Sequence, residues 1–223
     1  MLFALIAAAV ISTAPVQAPF SFSVRSGSAA WSVEPVGAPE DEAHFELTGL
    51  HIVERGSPGR LIQEIKLESP EVLYSNQGWV EAVDFDFDGW KDLYVTTVGG
   101  SGGSPGLLLR FDAKRGLFLK PRPMSNAHPD PQRRVVHTGW RFGYCCGWDN
   151  EVRFVPGQLE PVILKSVDRS RAGIDSPIIK TVEERDGKGK MKVVCRMELE
   201  DSVEQPVLRV LEGDLKRCLH EGE

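Results

Sequence analysis

The sequence predicts an all-β fold, a single antiparallel propeller-like or sandwich-like domain with a C-terminal β extension. Three observations lead there. Apolar and aromatic runs of six to nine residues recur along the chain, which is strand length. Gly, Pro and Asp separate them, as turns require. No segment carries an apolar stripe at helical spacing through several turns.

Taken in order, Met1 to Ala18 reads MLFALIAAAVISTAPVQA. An apolar run closed by small residues is the pattern of an export signal, here cleaved after Ala18. The run falls short of the ~20 apolar residues that span a bilayer. Export places the mature protein in the periplasm or outside the cell. Residues 19–42 are rich in Ser, Pro, Gly and Ala and are expected as a flexible tether.

Strands are expected over 45–53, 60–67, 79–85, 92–98, 106–111 and 150–155. Hairpin turns are expected at Asp112 to Gly116, at Pro156-Gly157 and at Asp186-Gly187, since each supplies a residue that tolerates positive φ. The stretch GGSGGSPG over 99–106 leads into a strand. A phosphate cradle needs a following helix, so this loop is not one. Residues 43–165 form the main β domain in this reading. Residues 166–223, with IIKTVEER, MKVVCRMEL and PVLRVLE, are its C-terminal extension.

The formal net charge of -6 argues against nucleic-acid binding, which needs clustered cations. Four cysteines, Cys145, Cys146, Cys195 and Cys218, make an even count in an exported chain and are disulfide candidates with three possible connectivities. Cys195 with Cys218 is the favoured bridge. Their spacing lacks the two separated pairs of a tetrahedral zinc site. Trp79, Trp90, Trp140 and Trp148 are expected in the core, although exposed aromatics would suit a sugar ligand. The five histidines, His44, His51, His128, His137 and His220, are scattered, and no nucleophile-elbow or HExxH pattern occurs. No catalytic residue is assigned, and the protein is not expected to be an enzyme.

The segment DFDFDGWKDL, 84–93, carries the chemistry. A hard cation such as Ca2+ takes six to eight oxygen ligands, largely carboxylates and backbone carbonyls. Asp84, Asp86 and Asp88 supply three carboxylates at alternate positions. Gly89 permits the sharp turn, Trp90 offers its backbone carbonyl, and Asp92 is expected as the ninth-position ligand. Phe85 and Phe87 alternate with the ligands and pack on neighbouring strands. Four carboxylates within nine residues repel one another unless a cation sits among them. Strands flank the segment and Val95 stands at its twelfth position, so it is not an EF-hand.

An acidic loop followed by an apolar strand resembles the FG-GAP and VCBS repeats of β-propeller proteins. One copy is present, which does not support a multi-bladed propeller. A longer resemblance covers roughly 45–165. It runs from LIQEI through VDFDFDGWKDL, the Gly-rich loop and LLLRFDAKRGLF, then Asn126 and Asp130, the strand at Arg134-Val135-Val136, the Cys-Cys strand and RFVPGQLEPV. In that order the chain resembles a bacterial periplasmic VCBS-like calcium-binding family related to inhibitors of lysozymes, which are peptidoglycan hydrolases. The resemblance implies Ca2+ as a bound ion and an enzyme of that kind as partner. It also implies a surface loop, here Ser101, Gly102, Gly103 and Ser104, that enters the partner's cleft. Ser101 and Ser104 would donate hydroxyl hydrogen bonds there, and Arg110 a charge-assisted one.

Overall fold

The computed structural model describes residues 18–56, 58–74, 78–99, 103–142, 146–156, 158, 160–172, 176–200 and 207–213. Among them there are strands and no helix. The first four are β1 (Phe20–Ser23), β2 (Ala30–Pro39), β3 (His44–Glu54) and β4 (Arg60–Tyr74), and they form one antiparallel sheet in that order. β5 (Val80–Val83), β6 (Asp92–Thr96) and β7 (Gly106–Leu109) follow. The short pair β8 (Phe111–Asp112) and β9 (Leu117–Phe118) comes next, and then β10 (Arg122–Pro123). The second sheet has the order β10-β7-β6-β5. The chain continues with β11 (His128–Asp130), β12 (Val135–Phe142), β13 (Cys146–Arg153), β14 (Val162–Arg171), β15 (Ile178–Arg185), β16 (Met191–Glu200) and β17 (Val207–Gly213). These seven pair consecutively into one sheet. The antiparallel, sandwich-like reading holds, and no membrane-length apolar helix occurs among the described residues.

The β5–β7 sheet is the middle layer. Successive strand residues point to opposite faces, and here both faces are covered. Leu93, Val95, Leu107 and Leu109 enter a first core with Val33, Leu47, Leu50, Ile52 and Leu73 of the β1–β4 sheet. Tyr94 and Leu108, one position out of phase, enter a second core with Phe85, Val136, Val152 and Phe154. A strand buried on both faces reads as a continuous apolar run, as GLLL and LYV do. A smaller third cluster, Val167, Val182, Cys195 and Met197, lies within the seven-stranded sheet.

The expected tether at 19–42 is instead folded. Phe22, Val24 and Val33 are buried in the first core, and Phe22 pairs in register with Trp31 across β1 and β2. Apolar side chains at every second position supply enough burial to order the segment, despite its Ser, Pro and Gly content. Pro35 and Pro39 lie beyond the β1 pairing, which ends at Val33, so that β2 is an edge strand there, with Leu50 and Phe45 of β3 opposite them on its other side.

The expected boundary near 165 falls inside β14, and the extension continues the sheet begun by β11–β13. The Asp112–Gly116 turn sits where expected, with positive φ at Gly116. The turn expected at Asp186-Gly187 is longer, with the Gly189 N–H donating to the Asp186 carbonyl at 2.9 Å and the positive φ at Gly189 instead of Gly187. Gly157 of the expected Pro156-Gly157 turn lies outside the described residues. Trp79 is buried and Trp90 packs on the first core. Trp140 and Trp148 are only half-buried and lie outside the three clusters. Neither Cys146 nor Cys195 is a free thiol. Cys145, Cys218 and most of the expected export signal lie outside the described residues.

Candidate functional site

Val83 pairs with Asp92 across β5 and β6, so residues 84–91 form the closed end of that hairpin. There Asp84, Asp86 and Asp88 each bring a carboxylate oxygen within 4.8 Å of the others. The loop bonds to itself. The Asp88 and Gly89 N–H groups donate to the two oxygens of Asp84, at 3.1 and 2.9 Å. Asp88 N–H also reaches Asp86 at 3.3 Å, and Trp90 N–H reaches Asp88 at 2.8 Å. Gly89 has φ +91°, and a Cβ there would touch nothing. The glycine answers a conformational need, not a lack of room. Phe87 also has positive φ, +60°, which is costly for a bulky side chain. Arg134 offsets that cost by donating to the Phe87 carbonyl at 2.6 Å and covering its ring at 5.6 Å.

The sequence placed Asp92 among the ligands, but it stands outside this carboxylate group. It is fully buried. Its oxygens accept the N–H groups of Phe85 and Phe111 at 2.9 and 2.8 Å. Asp92 therefore ties the acidic loop to the strand that follows β7. Trp90 lays its ring 5.4 Å from Phe111 and under the Arg25 guanidinium at 5.2 Å.

Arg110, expected to face a partner, turns inward. It contacts Asp86 at 3.4 Å, donates to the Gln158 carbonyl at 2.8 Å and stacks on Phe154 at 4.7 Å. Burial, with the Asp88 charge second, pushes the Asp86 carboxyl up to about 6, while the positive charge of Arg110 opposes the rise. Burial, then the Asp86 charge, pushes Asp92 up to about 8 against the two N–H bonds it accepts. Such a cluster gains from a cation that makes ionisation favourable. Hard oxygen donors converging on one point fit Ca2+ or a similar hard ion. Beside the loop lies a cavity of about 480 Å³. It is floored by Phe111, Leu119 and Phe154 and flanked by Asp86, Asp88 and Arg110.

The glycine loop follows β6. Ser101 and Gly102 lie outside the described residues, while Gly103 and Ser104 are placed. The neck of the loop is narrow. Thr97 N–H donates to the Pro105 carbonyl at 2.9 Å, and a Cβ on Gly99 would sit 2.1 Å from the Gly103 oxygen. Asn126, from the turn before β11, bonds to Ser104 through both its side chain and its backbone. Asn126 carries no sequence signal beyond its place in the resemblance, and Arg134 none beyond its place there at the start of a strand.

No family model and no curated protein sequence matches the chain. Among solved structures it is similar to one described as the structure of a Xanthomonas type IV secretion system related protein. The TM-score is 0.52 at 16% identity, covering 82% of this chain and 96% of that one. At that identity the likeness establishes a shared fold.

Proposed function

We propose that the chain is an exported, calcium-stabilised β protein, periplasmic or secreted, that binds and inhibits a peptidoglycan hydrolase and catalyses nothing itself. The observation that supports this most is the arrangement around β6. The acidic loop closes the hairpin at one end of the strand, and the strand leads into the glycine loop, whose neck is fastened on both sides. In this reading Ca2+ is held by Asp84, Asp86 and Asp88 with the Trp90 carbonyl, and it fixes the hairpin that carries the loop. A muramidase cleft is flanked by two carboxylates. A small, polar loop whose base at Ser104 is held by Asn126 enters such a cleft at a lower entropy cost. The fold neighbour, itself described as secretion-system related, is in keeping with an envelope setting.

The test is cell-wall turnover by c-, g- and i-type lysozymes and muramidase effectors, with the purified chain and Ca2+ present. Slowed turnover that saturates near one equivalent is expected for at least one enzyme. Unaltered turnover in every class would overturn the proposal.

One observation favours a second reading, a calcium-stabilised module that binds an envelope polysaccharide without inhibiting anything. Phe142 is 60% exposed with its ring 6.3 Å from Trp140, and Trp140 pairs across β12 and β13 with Trp148. Aromatic surfaces of this kind stack on sugar rings. Retention on immobilised peptidoglycan that Phe142→Ala abolishes, with hydrolase rates unchanged, would select it.

A further inference from the structure

The contacts of Asn126 go beyond an ordinary turn. Its Oδ1 accepts the Ser104 N–H at 2.8 Å, and its own N–H donates to the Ser104 carbonyl at 3.0 Å. Its Nδ2 donates to the Gly139 carbonyl in β12 at 2.9 Å. One side chain thus bridges the base of the glycine loop to the seven-stranded sheet.

The backbone of Asn126 is itself held in an uncommon state, with φ +48°, a region Asn tolerates better than most residues. Its neighbours fix it there. Ser125 accepts from the Gly139 N–H at 3.0 Å and from the Thr138 hydroxyl at 2.6 Å. The Tyr94 hydroxyl donates to the Met124 carbonyl at 2.9 Å. Tyr94 belongs to β6, the strand that begins at Asp92.

Glycines make the approach possible. A Cβ on Gly103, which has φ +126°, would lie 2.3 Å from Asn126 Nδ2. A Cβ on Gly106 would lie 2.3 Å from the Tyr94 ring. The Asn126 side chain occupies the space that a larger residue at 103 would need, so loop and clamp fit only as a pair.

We propose that Asn126 is the positioning residue of the glycine loop: it holds the base of the loop, at Gly103 and Ser104, in the geometry the partner enzyme meets. The proposal rests on the inhibitory reading of that loop. Asn126 touches no partner in this scheme and acts through Ser104.

Asn126→Gly keeps the positive φ at no steric cost and removes both side-chain bonds, which separates the clamp from backbone strain. Asn126→Asp keeps the acceptor for Ser104 and loses the donor to Gly139. In the full-length chain the Ser104 amide should exchange with solvent at least ~10-fold faster in Asn126→Gly, with amides of β6 and β7 unchanged, since a lost hydrogen bond exposes that amide alone. Asn126→Asp should restore most of the protection. Against whichever lysozyme the wild type inhibits, Asn126→Gly should weaken inhibition by about 10-fold, the size of one lost ordering contact, and Asn126→Asp by less. Unchanged Ser104 exchange in Asn126→Gly would overturn the clamp. Faster exchange with undiminished inhibition would overturn its role in presenting the loop. If the wild type inhibits no lysozyme, the inhibitory reading fails and this role with it, and the exchange comparison still decides whether the clamp exists.

Discussion

The acidic loop before β6 and the base of the glycine loop after it, at Gly103 and Ser104, are held by different means. In the first, carboxylates of Asp84, Asp86 and Asp88 accept N–H groups two to five residues further along. In the second, the holding side chain comes from 22 residues away and is anchored in a different sheet. The first should therefore respond to an ion and to pH, because its order depends on charge. The second should respond to packing, because its order depends on a neighbour's position. Asp92 joins the two regimes: it titrates under the influence of Asp86, yet its contacts reach across to Phe111.

The largest expected effect comes from Asp92→Ala. It leaves the Phe85 and Phe111 N–H groups buried without an acceptor, at a cost of about 3 kcal/mol. The loss should appear in urea unfolding both with Ca2+ and with EDTA. A loss seen only with Ca2+ would return Asp92 to the ligand set and erase the distinction drawn above.

Removal of the ion comes next. With free Ca2+ at about 100 times its dissociation constant, binding adds roughly 2.7 kcal/mol, so EDTA should lower the melting temperature and Asp88→Ala should abolish that response. The apo protein should also show a pH dependence. Asp86 and Asp92 have folded-state pKa values of about 6 and about 8, against 3.8 ordinarily. The folded state therefore binds protons more tightly than the unfolded chain, and stability in EDTA should fall as pH rises from about 4 to about 8. Ca2+ should flatten that slope. Equal melting with and without chelator at pH 7.5 would remove the ion from the account.

The smallest effect is expected at Gly103→Ala. Positive φ and the collision with Asn126 should cost about 1–2 kcal/mol, read as a lowered urea midpoint. The response to EDTA should be unchanged. A changed chelator response would show that the two loops are not independent.

Much of this was legible beforehand. Alternation in FELTGLHIV and the unbroken GLLL both read correctly as strands, because burial on one face or two leaves a direct mark on composition. The spacing of Asp84, Asp86 and Asp88 announced their convergence, since neighbours in the chain need no fold to bring them together. The segment 19–42 misled, because Ser and Pro masked the period of Phe20, Phe22 and Val24. Arg110 misled for another reason: a charged residue after an apolar strand looks solvent-facing, and only the packing of Phe154 and Asp86 around it turns it inward.

The sequence by itself determined the all-β character, the main hairpins and the three-carboxylate loop, all of which rest on interactions between residues close in the chain or on the period of one strand. Only the tertiary structure decided that Asp92 is a buried tie, that β6 and β7 form a middle layer between two cores, and that Asn126 closes the glycine loop. Each depends on which strands lie side by side. Pairing between strands distant in sequence is set by the whole core at once, and no local pattern in a single strand records its neighbours.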